Sequence, residues 1–339
     1  MDKLMWANQI EFFLNKDQKL FDMNAAYGHP GATIISFGSF LYLVFGISCA
    51  HALKITIGVL VAGLTAGCAV FCRILFPHSR WWVLVVFVML FSRFNVTTPT
   101  SLIVMHFVVF IFLYFLCMHF LPLYRTNIHY IFLGILIGLS AATRVDATLL
   151  MCAPIVFFLV VNDKKKNVLF VMSGTMMGFW AANPFMWFMP WQHLKDLIGK
   201  FFMHYQGFSI PYQLSLLEWI NSIAPAIVCI GVAVILYRRQ ILQSFVPLSL
   251  CLFLLVVVVF GVVIVSISSF QATRYLHPLV MIFEVFLPLF VSALFVCKKG
   301  EMAGYNKCVD LSVENKVMSA YVFFQLMMFV PSLKFLPAF

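Results

Sequence analysis

Apolar runs long enough to cross a bilayer recur along almost the whole of this chain, and nothing constrains its fold more. They lie near 33–50, 55–76, 81–93, 102–123, 129–143, 147–161, 168–188, 220–237, 245–266, 277–297 and 317–333. A hydrocarbon core about 30 Å thick is crossed by roughly 20 residues of α-helix. In lipid each backbone N–H and C=O has to be paired within the protein, so every spanning run is expected to be a helix. The composition agrees: 63% of the 339 residues are hydrophobic and 10% are charged, against about half apolar and a quarter charged in soluble domains. A soluble enzyme, a disordered chain and a secreted disulfide scaffold are excluded together. The predicted fold class is all-α, a polytopic transmembrane helical bundle of about 10–11 apolar helices with interfacial helices on its outer face. Residues 1–31 read as an outer-face loop with an amphipathic helix (Leu4, Trp6, Ile10, Phe13, Leu14). Residues 32–339 read as the transmembrane domain, with a long outer loop at 189–219.

The net charge of +10, from 22 Lys and Arg against 12 Asp and Glu, would suggest nucleic acid in a soluble protein. In a membrane protein an excess of Lys and Arg in cytoplasmic loops accounts for it, and no nucleic-acid partner is expected. The densest basic clusters are Lys164-Lys165-Lys166, Arg238-Arg239 and Lys298-Lys299. Placing all three in the cytoplasm is self-consistent, because two apolar runs separate each from the next. Arg125 and the stretch from Arg73 to Arg80 then fall inside. Residues 51–54, 94–101, Arg144 to Asp146, 189–219 and 267–276 fall outside. The run 33–50 either spans or lies in the interface, and the interfacial or re-entrant arrangement keeps residues 1–31 on the outer side. The expected location is a cell membrane, plasma or inner. The nine Cys have no framework spacing, and Cys68, Cys72, Cys117, Cys152 and Cys251 lie inside apolar runs, as small core- or lipid-facing residues.

The outer face gathers the unusual chemistry: Asp2, Glu11, Asp17, Asp22 and His29, then Asn95 and Thr98, Arg144 and Asp146, Asn183, Trp191, His193, Lys195, Asp196, His204 and Tyr205, and finally Arg274, Tyr275 and His277. Interfacial loops are polar and rich in Trp and Tyr in any membrane protein, which is the plainer account of most of these. Two features stand above it. Arg144 and Asp146 lie between two apolar runs with almost no room for a solvated loop, so the charges face a polar cavity or each other. Arg274 stands at the outer start of the run 277–297, where a guanidinium could take a phosphate in bidentate fashion or simply snorkel. Glu284, deeper in that run, is an acid that a cation could partner. Gly134-xxx-Gly138 reads as close helix packing. No glycine-rich phosphate loop, HExxH, CxxC pair or nucleotide fingerprint is present. No cofactor is called for, and a divalent metal is left open.

Several short motifs, in order, resemble the GT-C superfamily of polytopic glycosyltransferases, in the branch of the dolichyl-phosphate-mannose protein mannosyltransferases and their bacterial relatives. They are Ile10-Glu11-Phe12-Phe13-Leu14, Tyr27-Gly28-His29-Pro30-Gly31, Gly138-Leu139-Ser140 with Thr143-Arg144, Asn183-Pro184-Phe185-Met186-Trp187-Phe188 with Pro190, His193 and His204-Tyr205, and Arg274-Tyr275-Leu276 with Pro278. The family carries an acidic pair in its first outer loop, and here Asp2 is followed by Lys3. It also carries a helix before that loop, so the resemblance implies a first helix upstream of Met1. Further implied are a polyprenyl-phosphate sugar donor, a glycan, lipid or protein acceptor, and inverting transfer on the outer face. Asp2, with Asp22 as fallback, would be the general base. Arg144, Arg274 and His29 would hold the donor phosphate, and Asp146, Tyr275 and His204 would contact substrate. Two readings compete: a transporter or flippase of lipid-linked glycans, which needs no carboxylate at the anomeric carbon, and an inactive truncated relative.

Overall fold

The computed structural model describes residues 32–77, 80–91, 99–161, 165–183 and 215–238. Shorter described stretches are 186–187, 190–192, 194–195, 198–199, 255–256, 258–259, 261–263, 266, 280–287, 316–317 and 319–323. The structure is all-α, and no strand occurs among the described residues. The main helices are α1 (Ala32–Phe45), α2 (Cys49–Leu75), α3 (Trp81–Phe91), α4 (Pro99–Phe120), α5 (Asn127–Thr143), α6 (Val145–Val161), α7 (Lys165–Ala182) and α8 (Leu216–Arg238), with a 3-10 turn at Pro122–Tyr124 between α4 and α5. Among the described residues, two stretches are long and apolar enough to cross a membrane, the 27 residues of Cys49–Leu75 and the 19 of Leu102–Phe120.

These two helices play opposite parts. In α2 the buried residues Leu53, Thr56, Leu64, Cys68 and Cys72 recur at helical spacing on one face, while Ile55, Val59, Val70 and Ile74 are exposed on the other. In α4 every residue from Ile103 to Met118 except Phe110 is buried. A helix that is apolar all round belongs in the middle of its fold, and α4 is the hub against which α2, α5 and α6 pack. Close contacts fix the α2–α4 register: Gly67 lies against the Phe110 ring, and Phe71 has its ring centroid 5.0 Å from that of Phe110 and 5.4 Å from that of Tyr114. Ascending residues of α2 thus meet ascending residues of α4, so the two run parallel, with α3 returning between them in the chain. Tyr114 also meets Phe132 at 5.4 Å and shares a hydrogen bond of 2.5 Å between its hydroxyl and His129 Nδ1, joining α4 to the start of α5. The segment 280–287 closes another side of the hub. Trp81 Nε1 donates to Val285 O at 2.7 Å, and Phe286 packs on Trp81 and Phe112 at 5.0 and 5.5 Å.

The closest packing joins α5 and α7. A Cβ on Gly134 would stand 2.8 Å from Thr175 N and 2.9 Å from Gly174 Cα, and inside van der Waals contact of Val171 O. One turn on, a Cβ on Gly138 would stand 2.9 Å from Gly178 C and collide with Thr175 O. Gly174 and Gly178 meet Ile131 and Ile135 in the same way. The two GxxxG stretches therefore face each other in parallel register, backbone on backbone, the arrangement by which helices without a hydrophobic drive between them gain dispersion contact. Parallel α2–α4 and α5–α7 pairs, with α3 and α6 between their members, make the chain alternate in direction from α2 to α7. One end of the bundle collects Arg73, Arg80, Arg125, Lys165 and Lys166; the other collects Lys54 and Arg144.

The apolar run 33–50 is not one helix. Gly46 adopts φ 63° and its N–H donates to Tyr42 O at 2.9 Å, the left-handed cap that ends α1. Three residues later α2 begins. At 14 residues, α1 is about 21 Å long, short of a hydrocarbon core about 30 Å thick. It turns back on α2 as a helical hairpin. Residues 1–31 lie outside the described residues. Within 189–219 the described residues 190–192, 194–195 and 198–199 are helical and exposed.

Candidate functional site

Parallel register carries α5 and α7 to the same end of the bundle, and a polar cluster forms where they stop. Gly134 stands opposite Gly174 and Gly138 opposite Gly178, so Thr143, the last residue of α5, is level with Asn183, just past the end of α7. Arg144 is 3% exposed and Asn183 is 0% exposed. Arg144 is also the single residue between α5 and α6, in an extended conformation of φ −161°, ψ 111°. Its N–H donates to Ser140 O at 2.8 Å. Thr148, one turn into α6, braces this corner: its hydroxyl lies 2.9 Å from Ser140 Oγ and 2.9 Å from the Arg144 carbonyl. Thr143 bonds back to Leu139 O at 3.1 Å.

The start of α1 seals the same cluster from the side. Thr33 donates to Leu139 O at 2.8 Å and Ser36 donates to Ala182 O at 2.8 Å. Beyond it, Asn183 O accepts from Met186 N, and Trp187 Nε1 donates to Trp180 O at 2.7 Å. Trp180, Trp187 and Trp191 are all exposed here, as side chains that favour a membrane–water boundary would be.

The electrostatics follow from the helix directions. The last carbonyls of a helix carry a partial negative charge, equivalent to roughly half an elementary charge per helix. At this corner the ends of α5 and α7 meet the starts of α6 and α1, whose N–H groups carry the opposite charge, so the helix-end charges largely offset, and Ser140, Thr148 and Asn183 supply the polarity. A guanidinium buried at apolar depth without such surroundings would be costly. The same glycine register that brings the ends of α5 and α7 together sets where the Arg144 backbone lies. A guanidinium is a planar fork of five N–H donors, a shape that suits a carboxylate or phosphate.

Of the residues expected from sequence, the structure places Arg144 in this cluster and puts Asp146 in the first turn of α6, its side chain outside the described part. Asp2, Asp22, His29, His204, Arg274 and Tyr275 lie outside the described residues. Glu284 is buried at 3% exposure in the segment 280–287, and its carbonyl accepts from Tyr321 OH at 3.1 Å. Sequence reasoning passed over Thr33, Ser36, Thr148 and the second glycine pair. For the glycines a signal existed, since Gly174-xxx-Gly178 repeats the spacing of Gly134-xxx-Gly138. The chain matches no family model, no characterised protein and no solved structure.

Proposed function

We propose that this protein is a multi-pass membrane glycosyltransferase that moves a sugar from a polyprenyl-phosphate donor to an acceptor hydroxyl on the outer face of a cell membrane. The observation that carries the reading is the buried Arg144, set in a polar corner at one end of an otherwise apolar helical body. The membrane part is supported by the exposed faces. Val59 and Val70 on α2, and Leu169, Met172, Met176 and Met177 on α7, are 50% exposed or more. Contiguous apolar surface of this kind suits hydrocarbon rather than water. The basic end faces the cytoplasm, by the bias of Lys and Arg toward that side, which puts Arg144 outside.

The reaction is a single inverting displacement. The acceptor oxygen attacks the anomeric carbon, the bond to the donor phosphate breaks, and a carboxylate takes the hydroxyl proton. Asp2 is the base by resemblance, with Asp22 behind it. A positioned base is worth about 10²–10⁴ in rate. Arg144 and Arg274 stabilise the charge that grows on the departing phosphate, with His29 helping to orient the loop. Asp146, Tyr275 and His204 meet the sugar or the acceptor. Glycan, lipid and protein acceptors all present the hydroxyl this chemistry needs.

The test is to incubate membranes containing the full-length chain with labelled polyprenyl-phosphate sugars and follow label into the acceptor fraction. Transfer is expected, lost in Asp2→Asn and slowed in Arg274→Ala with weaker donor binding. Unchanged transfer in Asp2→Asn removes that residue as the base. Donor crossing the membrane without transfer of its sugar would point to the lipid-linked-glycan transporter instead.

A further inference from the structure

The glycine register orders the basic end of the α5–α7 pair as well. With Gly134 opposite Gly174 and Gly138 opposite Gly178, residues that meet differ by 40 in number. Two turns toward the helix starts, Asn127, the first residue of α5, is level with Asn167. Arg125, just before α5, is level with Lys165, the first residue of α7. A side-chain hydrogen bond between Asn167 and the buried Tyr130 ties the two helices together here. Arg125 is anchored from the other side, its Nε donating to Met118 O at 3.2 Å and its Nη2 to His119 O. Its Nη1 has no bond among the described residues. Lys166, one residue further into α7, is exposed. One seam between two helices therefore gathers Arg125 and the run Lys164-Lys165-Lys166, against a single neighbouring acid in the sequence, Asp163. The described acids are Asp146, Glu218 and Glu284, and none belongs to α4, α5 or α7.

We infer that this seam binds the headgroup of an anionic phospholipid of the cytoplasmic leaflet. Charge selects an anion. Like charges held at one level repel each other, and each Lys or Arg near a membrane surface raises the affinity for acidic lipid by roughly fivefold. Height selects a lipid over a soluble anion. Along α7 from Lys166 the exposed face turns apolar within one turn, at Leu169, and Met172 and Met176 follow on it. On α5 the exposed Ile128 and Phe132 lie at matching levels. The boundary between headgroups and hydrocarbon thus falls within about 4.5 Å of Lys166 by helical rise. That puts the cations at phosphate height, with apolar helix faces directly above them for the acyl chains. The inference rests on the membrane reading above and is independent of the transferase reading.

The experiment adds dioleoylphosphatidylglycerol or dioleoylphosphatidylcholine to the full chain in detergent and counts bound lipid by native mass spectrometry. At equal lipid concentration several-fold more phosphatidylglycerol than phosphatidylcholine is expected to stay bound. Lys166→Gln and Arg125→Gln should each cut that excess by roughly fivefold. Lys166 is exposed, so its variant carries the test if Arg125→Gln, which also frees the end of α4, does not fold. Arg73→Gln, exposed at the same end but on α2, should leave the excess unchanged. Equal retention of the two lipids overturns the proposal. An equal loss in Arg73→Gln also overturns it, assigning the preference to the net charge of this end rather than to the seam. So does displacement of phosphatidylglycerol by inorganic phosphate that chloride of the same ionic strength does not match, which assigns the cations to a soluble anion. Retention of neither lipid refutes the membrane reading itself, so the two failures are distinguishable.

Discussion

A single methyl group separates the glycines that matter here from those that do not. At Gly134 an added Cβ meets the backbone of Val171, Gly174 and Thr175, whereas at Gly58 it meets nothing within 4 Å. Backbone cannot rotate away as a side chain can, so Gly134→Ala has to push α5 and α7 apart. The expected cost is about 3 kcal/mol, at the upper end for overpacked cores. Gly58→Ala should instead gain a few tenths to about 1 kcal/mol from helix propensity. Thermal unfolding in detergent checks the pair: Gly134→Ala lowers the midpoint and Gly58→Ala holds or raises it. The pattern Gly134-xxx-Gly138 was readable as packing from sequence alone. Its partner was not, because a GxxxG does not say which helix it faces or in which direction that helix runs. Arg144 was legible for a simple reason, a charge between two apolar runs with no loop to solvate it. The burial of Asn183 was not legible, since polar residues after an apolar run usually meet water.

Helix α1 shows what hydropathy hides at the scale of an element. The run 33–50 is continuously apolar enough to read as one segment, yet the chain breaks at Gly46, where φ is 63°. A left-handed residue leaves no trace in hydropathy, and only glycine takes it without strain. Gly46→Val should therefore cost more than the roughly 1–2 kcal/mol typical of an L-residue in this region, whereas Gly46→Asn should cost less, since Asn tolerates it. A cysteine placed at Ser39, buried at 2% exposure, reports the outcome. It should react with a small maleimide faster in the Val variant than in the Asn variant. Equal rates would mean that the cap does not hold α1 in its seat. Helices α2 and α4 carry the complementary lesson. Both are long and mainly apolar, and sequence did not distinguish the helix with one buried face from the hub. Position in the bundle decides that, through contacts made by residues distant in sequence.

For the molecule as a whole, the helix alternation and the sorting of charge make one joint statement. Positive residues lie mostly at the end where α2, α4 and α6 finish, and the polar corner around Arg144 lies at the other. Basic clusters in the sequence had already implied this sorting, because the number of apolar runs between them is even. The polar corner itself depends on a parallel α5–α7 pairing that no local pattern encodes. Everything proposed for this protein rests on those two ends facing opposite sides of a membrane. Single cysteines in a cysteine-free full-length background, probed with a membrane-impermeant maleimide on intact cells, test that directly. Lys54→Cys, at the Arg144 end, should be labelled from outside, while Arg80→Cys and Thr126→Cys, at the basic end, should be labelled only after permeabilisation. Labelling of all three positions alike, or of the basic end alone from outside, would contradict the account.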